Sequence, residues 1–264
     1  IGRTVHNRRS YRIDSECPSG IGCEGIALAI GGTTDDDRRH PRRCALSHGQ
    51  LAVPRIAGEL QGVELDDLTA DVEGGSLNLS GNVLLIISSM ATNNADVHQG
   101  LDDNAQVIQD FVAGGGVVIE TTQADQNEAN VDWLPAGLVA VRSDPDSPDF
   151  LIEEPGHTLF NVPNEMTDEE FVGWGHQGWP TVWEVFAQLD GFDILATSAD
   201  RPVIGEAEVG SGKYVMMCIA PDKYAQVGND GNTMDMAMLF FENMVTTYLP
   251  QAVSPEGLAT DRKS

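Results

Sequence analysis

Glu120 stands where an apolar run, Val117-Val118-Ile119, passes into Thr121-Thr122-Gln123. A carboxylate at a strand end can act as a general base or bond a sugar hydroxyl. It can equally cap a helix or serve as a satisfied structural acid. Ser88-Ser89 follows a second apolar run, Val83–Ile87, but lacks the Gly-x-Ser-x-Gly elbow that exposes a hydrolase serine. Ligands of open α/β sheets lie beyond the carboxyl ends of the strands. Parallel strands would therefore gather Ser88, Ser89, Asn93, Asn94, His98, Glu120 and Thr121 around one crevice.

The densest local signal is Gly173-Trp174-Gly175-His176-Gln177-Gly178-Trp179-Pro180-Thr181-Val182-Trp183, which holds three of the four tryptophans. Flat indoles on a loop can stack on sugar rings while His176 bonds hydroxyls. The same indoles can instead anchor a long loop to the body. Trp174, His176, Trp179 and Trp183 accordingly join the ligand-binding candidates, and His157 and His176 join Glu120 as catalytic candidates. No cofactor is expected. The alternative is a divalent cation held by His157 and His176 with Glu153 or Glu154, since imidazole and carboxylate together suit zinc-like ions. Asp35-Asp36-Asp37 and Asp144-Pro145-Asp146 lack the alternation of a calcium loop. Cys17, Cys23 and Cys44 are disulfide candidates, and their spacing contains no paired C-x-x-C for zinc. Cys218 lies in the apolar run Tyr214–Ile219 and reads as a buried strand residue.

Regular elements must position these groups. Val83–Ile87 is bounded by Gly81-Asn82 and Ser88-Ser89, the pattern of a strand buried on both faces. Leu101, Ala105, Ile108, Phe111 and Val112 recur at helical spacing, with Asp102 and Asp103 in the first turn. Gly114-Gly115-Gly116 stops that helix, and Val117–Ile119 begins the next strand. The result is a βαβ unit. Further strands are predicted at Leu138–Val141, Ile194–Ala196, Val203-Ile204 and Tyr214–Ile219, the last two joined by a hairpin turn at Gly210–Lys213. Trp183–Leu189 reads as either a helical turn or a strand. Met234, Met238, Phe241, Val245 and Tyr248 stripe a closing helix. An earlier helix at Leu51–Leu60 and a strand near Val63–Leu68 precede them. The fold class is α/β with a mainly parallel open sheet flanked by helices. An irregular arm is expected over residues 1–50, the α/β domain over 51–250 and a polar tail over 251–264.

Charge describes the setting. Lys and Arg total 15 against 41 Asp and Glu, a net charge of -26. A surface this acidic repels nucleic acid and anionic lipid, so neither is an expected partner. Self-repulsion needs screening, and the Debye length falls to about 3 Å at 1 M salt. Abundant Asp and scarce Lys therefore point to a high-salt environment; a GC-rich genome or a calcium-rich secreted domain would give the same bias. The first fifty residues carry eight Arg against six acids, so the arm is positively biased and suited to an acidic face of its own body or of a neighbouring copy. No stretch approaches the roughly 20 apolar residues of a membrane span. The chain opens on Ile1, which leads to the expectation of a piece cut from a longer protein, extracellular or at the cell surface, or else from the cytoplasm of a high-salt organism.

From Asn82 to about Leu249 the order of motifs resembles the class I glutamine amidotransferase-like superfamily, and within it the trehalose-utilisation (ThuA-like) branch. The residues that carry the resemblance are Val83–Ile87 with Ser88-Ser89, Ile108–Ile119, Pro155-Gly156-His157-Thr158-Leu159, Ile194–Ala196 before Arg201-Pro202-Val203, Gly210–Val215 and Phe241–Val245. The resemblance implies a flavodoxin-like sheet and a carbohydrate-associated role. True amidotransferases carry Gly-x-Cys-x-Gly on the turn after the central strand, where the helix N-terminus favours a thiolate. Here that turn reads Glu120-Thr121-Thr122-Gln123, without sulfur. Gly22-Cys23-Glu24-Gly25 comes close to that pattern in letters but follows no buried strand. The expectation is a non-catalytic module that binds a carbohydrate or small polar ligand, or assembles as a homo-oligomer or within a parent multidomain protein. A ThuA-like enzyme using Glu120, His157 or His176 is the alternative.

Overall fold

The structure is a computed structural model that describes residues 27–31, 42–44, 63–89, 91, 94–121, 131–143, 147–172, 174, 183–227 and 231–249. Its spine is the central triplet β4 (Asn82–Ile87), β5 (Val117–Thr121) and β11 (Gly212–Met217), paired in parallel in that order. Their apolar residues are buried because both faces of these strands are covered.

The βαβ unit forms as its spacing predicts, with one change. The expected single helix is two, α2 (Ala95–Asp103) and α3 (Ala105–Ala113), broken at Asn104. The buried Asn104 amide donates to the Gly100 carbonyl at 2.7 Å and to the Val72 carbonyl at 3.3 Å, while its oxygen accepts the Leu77 N–H at 3.2 Å. It thereby ties the joint to α1 (Thr69–Glu73), which lies after β3 (Val63–Asp67). Gly114 caps α3, and Gly115 takes the positive φ that lets β5 start at once.

The expectation of a mainly parallel sheet is corrected. The nine strands run β2-β3-β1-β4-β5-β11-β10-β9-β7, where β1 is Ala27–Gly31, β2 Arg42–Cys44, β7 Leu151–Ile152, β9 Asp193–Ser198 and β10 Arg201–Val209. Only β4–β5, β5–β11 and β2–β3 are parallel. β1 is antiparallel to β4, and the β9–β10–β11 meander and β7 are antiparallel throughout. The fold is mixed α/β. A boundary at residue 50 does not separate arm from sheet either, because β1 and β2 both lie within the sheet. The helix expected at 51–60 and the tail at 251–264 lie outside the described residues.

A second sheet of two antiparallel strands, β6 (Val139–Ser143) and β8 (Val185–Asp190), packs over one face. The ambiguous segment at 183–189 is therefore a strand. The other face is covered by α6 (Gly231–Tyr248), which follows α5 (Pro221–Val227). On α6 the buried stripe is Ala237, Phe240, Phe241, Met244, Val245 and Tyr248, while Met234 and Met238 are only partly covered.

The β10–β11 hairpin turns at Gly210-Ser211, with Gly210 at φ 63°. Gly212 then meets two backbones at once. A Cβ there would lie 2.1 Å from the Gly116 carbonyl oxygen and 2.2 Å from that of Val112. Gly212→Ala is expected to destabilise the protein by about 2 kcal/mol or more, since neither backbone can yield cheaply. Urea unfolding followed by circular dichroism checks this.

Candidate functional site

The carboxyl ends of β4, β5 and β11 do converge, but they meet on a residue the sequence reading passed over. Asp222, in the first turn of α5, is buried. Its Oδ2 accepts the Ser89 backbone N–H at 3.2 Å and the Ser89 hydroxyl at 3.0 Å. Its Oδ1 accepts the Thr121 hydroxyl at 3.4 Å, and that hydroxyl also lies 3.3 Å from the Ile87 carbonyl oxygen. One carboxylate thus joins the ends of three strands. The rule that singled out Ser88 and Glu120, polar residues just past buried strands, would also have found Asp222 after Tyr214–Ala220.

Glu120 faces the opposite way. Side chains alternate along a strand, so Glu120 shares a face with Val118 and, through the register, with Ile87, Tyr214 and Met216. The β6–β8 sheet covers that face. A Cβ at Gly205, the cross-strand partner of Met216, would come 2.7 Å from Leu189 of β8. Glu120 is 1% exposed, and its Oε2 has no hydrogen-bond partner. Burial pushes its carboxyl up to about 8, against the opposing pull of the Arg142 guanidinium. Arg142, on β6, donates from Nη1 to Glu184 Oε2 at 2.7 Å. At neutral pH burial therefore keeps Glu120 largely protonated, within reach of the charge on Arg142.

Trp174 and Trp183 follow the anchoring alternative. Trp174 and Trp183 are buried and pack edge to face at 5.4 Å. Trp174 stacks on Phe171 at 5.6 Å, Trp183 packs on Phe150 at 5.5 Å, and both touch Tyr224. The Trp174 indole N–H donates to the Glu170 carbonyl at 2.7 Å. Neither ring offers a face to a sugar, because an indole enclosed by other rings loses more by exposure than stacking returns. His176, Trp179 and Asn93 lie outside the described residues.

His157 donates its backbone N–H to the Glu154 carbonyl at 2.9 Å, and its ring meets another acid. Its Nε2 lies 3.5 Å from Glu206 Oε2, and its Nδ1 accepts the Leu159 N–H, capping the 3-10 turn Thr158–Phe160. Glu153 instead accepts the Thr197 hydroxyl. Among the described residues no group of three or more His, Cys, Asp and Glu could hold a metal ion. Two elements singled out separately in the sequence, His157 and the Gly210–Lys213 turn, meet on Glu206, which also takes Lys213 Nζ and the Tyr248 hydroxyl. Burial alone would raise the Glu206 carboxyl, but the bonds from His157, Lys213 and Tyr248 hold it down at about 2.

The remaining described candidates have local contacts. Ser88 is buried beside Ser89. Asn94 caps α2 by accepting the Asp96 N–H at 3.0 Å, and His98 lies 3.5 Å from Asp102 one turn along the same helix. Cys218 is buried and in no disulfide, whereas the side chains of Cys17, Cys23 and Cys44 lie outside the described residues.

No protein-family model matches the sequence, and no curated protein does. Among solved structures, the chain is similar to two cytoplasmic proteins of Salmonella typhimurium. One has TM-score 0.46 and 12% identity, covering 85% of this chain and 96% of that one. The other has TM-score 0.41 and 12% identity, covering 83% and 96%. A β-galactosidase from Rahnella sp. R3 aligns at TM-score 0.37 and 16% identity, over 68% of this chain but only 25% of its own length. The chain thus spans about a quarter of that enzyme.

The acid at Glu120 gives a signed pH effect. Its folded value, about 8, lies above the ordinary 4.5, so the folded state holds an extra proton between those limits. Its contribution to stability is full below pH 4.5 and is lost as pH rises towards 8. Glu120→Gln should shrink the fall in unfolding free energy between pH 5 and pH 8 by about 1–3 kcal/mol. Urea titrations at the two pH values measure it, and an unchanged fall counts against a neutral Glu120.

Proposed function

We propose that this chain is a non-catalytic module of the amidotransferase-like kind, working by assembly in a saline setting. The observation that carries this reading is the state of the three central strand ends. Where a nucleophile elbow would follow β5, the chain has Glu120-Thr121-Thr122-Gln123. Thr121 is engaged with Asp222 and Ile87, and Ser89 is bound to the same Asp222. A thiolate needs a helix N-terminus or a cationic neighbour and access to substrate. The only cysteine whose side chain is described, Cys218, is buried. Enclosure of Trp174 and Trp183 withholds those two rings from a sugar, which supports assembly over sugar binding at them. Among the described residues no helix is long and apolar enough to cross a membrane. The net charge of -26 supports the saline setting, since ions must screen it.

A second reading, a ThuA-like carbohydrate-acting enzyme, has one observation in its favour. A carboxyl held near 8 at the end of a central strand is what a general acid requires.

The two readings separate in one set of measurements. The purified chain should release no ammonia from glutamine and turn over no disaccharide, and light scattering across a salt series should report a mass above that of the 28.3 kDa monomer. Disaccharide turnover that disappears in Glu120→Gln would transfer the assignment to the enzyme.

A further inference from the structure

We infer that the β7 edge of the main sheet docks a basic partner chain, one that sets Lys or Arg around apolar side chains. The inference rests on the assembly reading above and names the chemistry of a partner.

The edge is apolar at its centre. β7 ends the nine-stranded sheet, with β9 as its neighbour. Among the described residues five large hydrophobic side chains are exposed, and three of them, Leu151, Val162 and Val172, fall within residues 151–172. Leu151 is 49% exposed and Val172 61%. The residues just before these two, Phe150 and Phe171, stack at 4.2 Å, so one partner segment can reach both. The Ile152 N–H donates to Asp168 Oδ1 at 2.8 Å and fastens α4 (Asp168–Phe171) to β7.

The rim is acidic. Glu153 shares the face of Leu151, two residues on, and accepts the hydroxyl of Thr197, the cross-strand partner of Leu151. Asp149, Glu154, Glu165 and Glu169 are also exposed. Between Arg142 and Arg201 the chain has thirteen acids and no Lys or Arg. An exposed apolar patch rimmed by charge marks a contact surface, and complementarity selects a partner of opposite sign. A second copy would bring the same acids to this edge. Of the bases whose side chains are described, Arg142 is buried against Glu184 and Lys213 is bonded to Glu206, which leaves Arg201 and Lys223 to offer. A different, basic chain fits better. Because Asp168 already takes the Ile152 N–H, side chains make the contact in place of an added strand. In a saline setting charge alone is screened, so the partner needs apolar anchors for Leu151 and Val172.

Peptide probes test this on the full chain, at the lowest salt where circular dichroism reports the native fold. A fluorescent peptide of alternating Leu and Lys should bind by anisotropy about tenfold or more tighter than its Ser–Lys and Leu–Glu analogues. Leu151→Asp, and separately Glu153→Lys with Glu154→Lys, should each weaken that binding about tenfold. Val139→Asp, at an exposed apolar residue on β6, should leave it unchanged. The Glu153→Lys, Glu154→Lys variant should also hold the Leu–Glu peptide more tightly than the wild type does, a gain that a folding defect would not give. Equal binding of the Ser–Lys peptide would reveal only general attraction to a charge of -26 and overturn the inference. So would binding indifferent to the β7 variants. Self-association without peptide binding overturns this surface and leaves assembly standing. Monomers that bind the Leu–Lys peptide uphold the surface and end the self-association reading, and monomers that bind nothing overturn both.

Discussion

The interaction on which the rest of the structure depends is the Asp222 carboxylate. It takes two donors from Ser89 and one from Thr121, and it starts α5 at the end of β11. Carboxyl ends of parallel strands gather unpaired N–H and hydroxyl groups, and a buried one without a partner costs about 1–3 kcal/mol. A single acid in the helix first turn answers several of them at once, and the positive end of a helix favours its charge. In α/β folds generally this ground holds ligands. Here Ser89, Thr121 and Asp222 are bonded to one another at it.

Two other acids show how position alone sets the state of a carboxyl. Glu120, one residue before Thr121, faces the β6–β8 layer and is held neutral by burial. Glu206 is also partly buried, yet three donors hold it ionised far below its ordinary value. The difference is the number of hydrogen bonds each receives, since Glu120 Oε2 has none and Glu206 receives bonds from His157, Lys213 and Tyr248. The Glu206 network ties the 3-10 turn, the hairpin and the end of α6 on one face. The Arg142–Glu184 pair belongs to the second sheet, on the face where Glu120 points.

Much of the fold was legible in local pattern. Val83–Ile87, Val117–Ile119 and Tyr214–Ile219 are strands because unbroken apolar runs suit strands covered on both faces. That same evenness hid the direction of pairing, since central strands of a mixed sheet are covered on both faces too. The break at Asn104 escaped notice because its cause, the Val72 carbonyl and the Leu77 amide, lies about thirty residues away. Of the site, Glu120, Ser89 and Thr121 were found from their place after strands. Trp174 and Trp183 were drawn as platforms or anchors with equal ease, because composition reports stickiness and says nothing of enclosure.

By itself the sequence determined the charge, the alternation of strands and helices, and the lack of sulfur after β5, all of which follow from neighbours in the chain. Only the tertiary structure decided strand direction, the turning of Glu120 and Thr121 to opposite faces, and the meeting of Ser89, Thr121 and Asp222 across more than a hundred residues. Hydrogen bonds and burial act through space within a few ångströms. What a carboxyl does is therefore set by the groups that folding brings beside it, and not by the letters on either side.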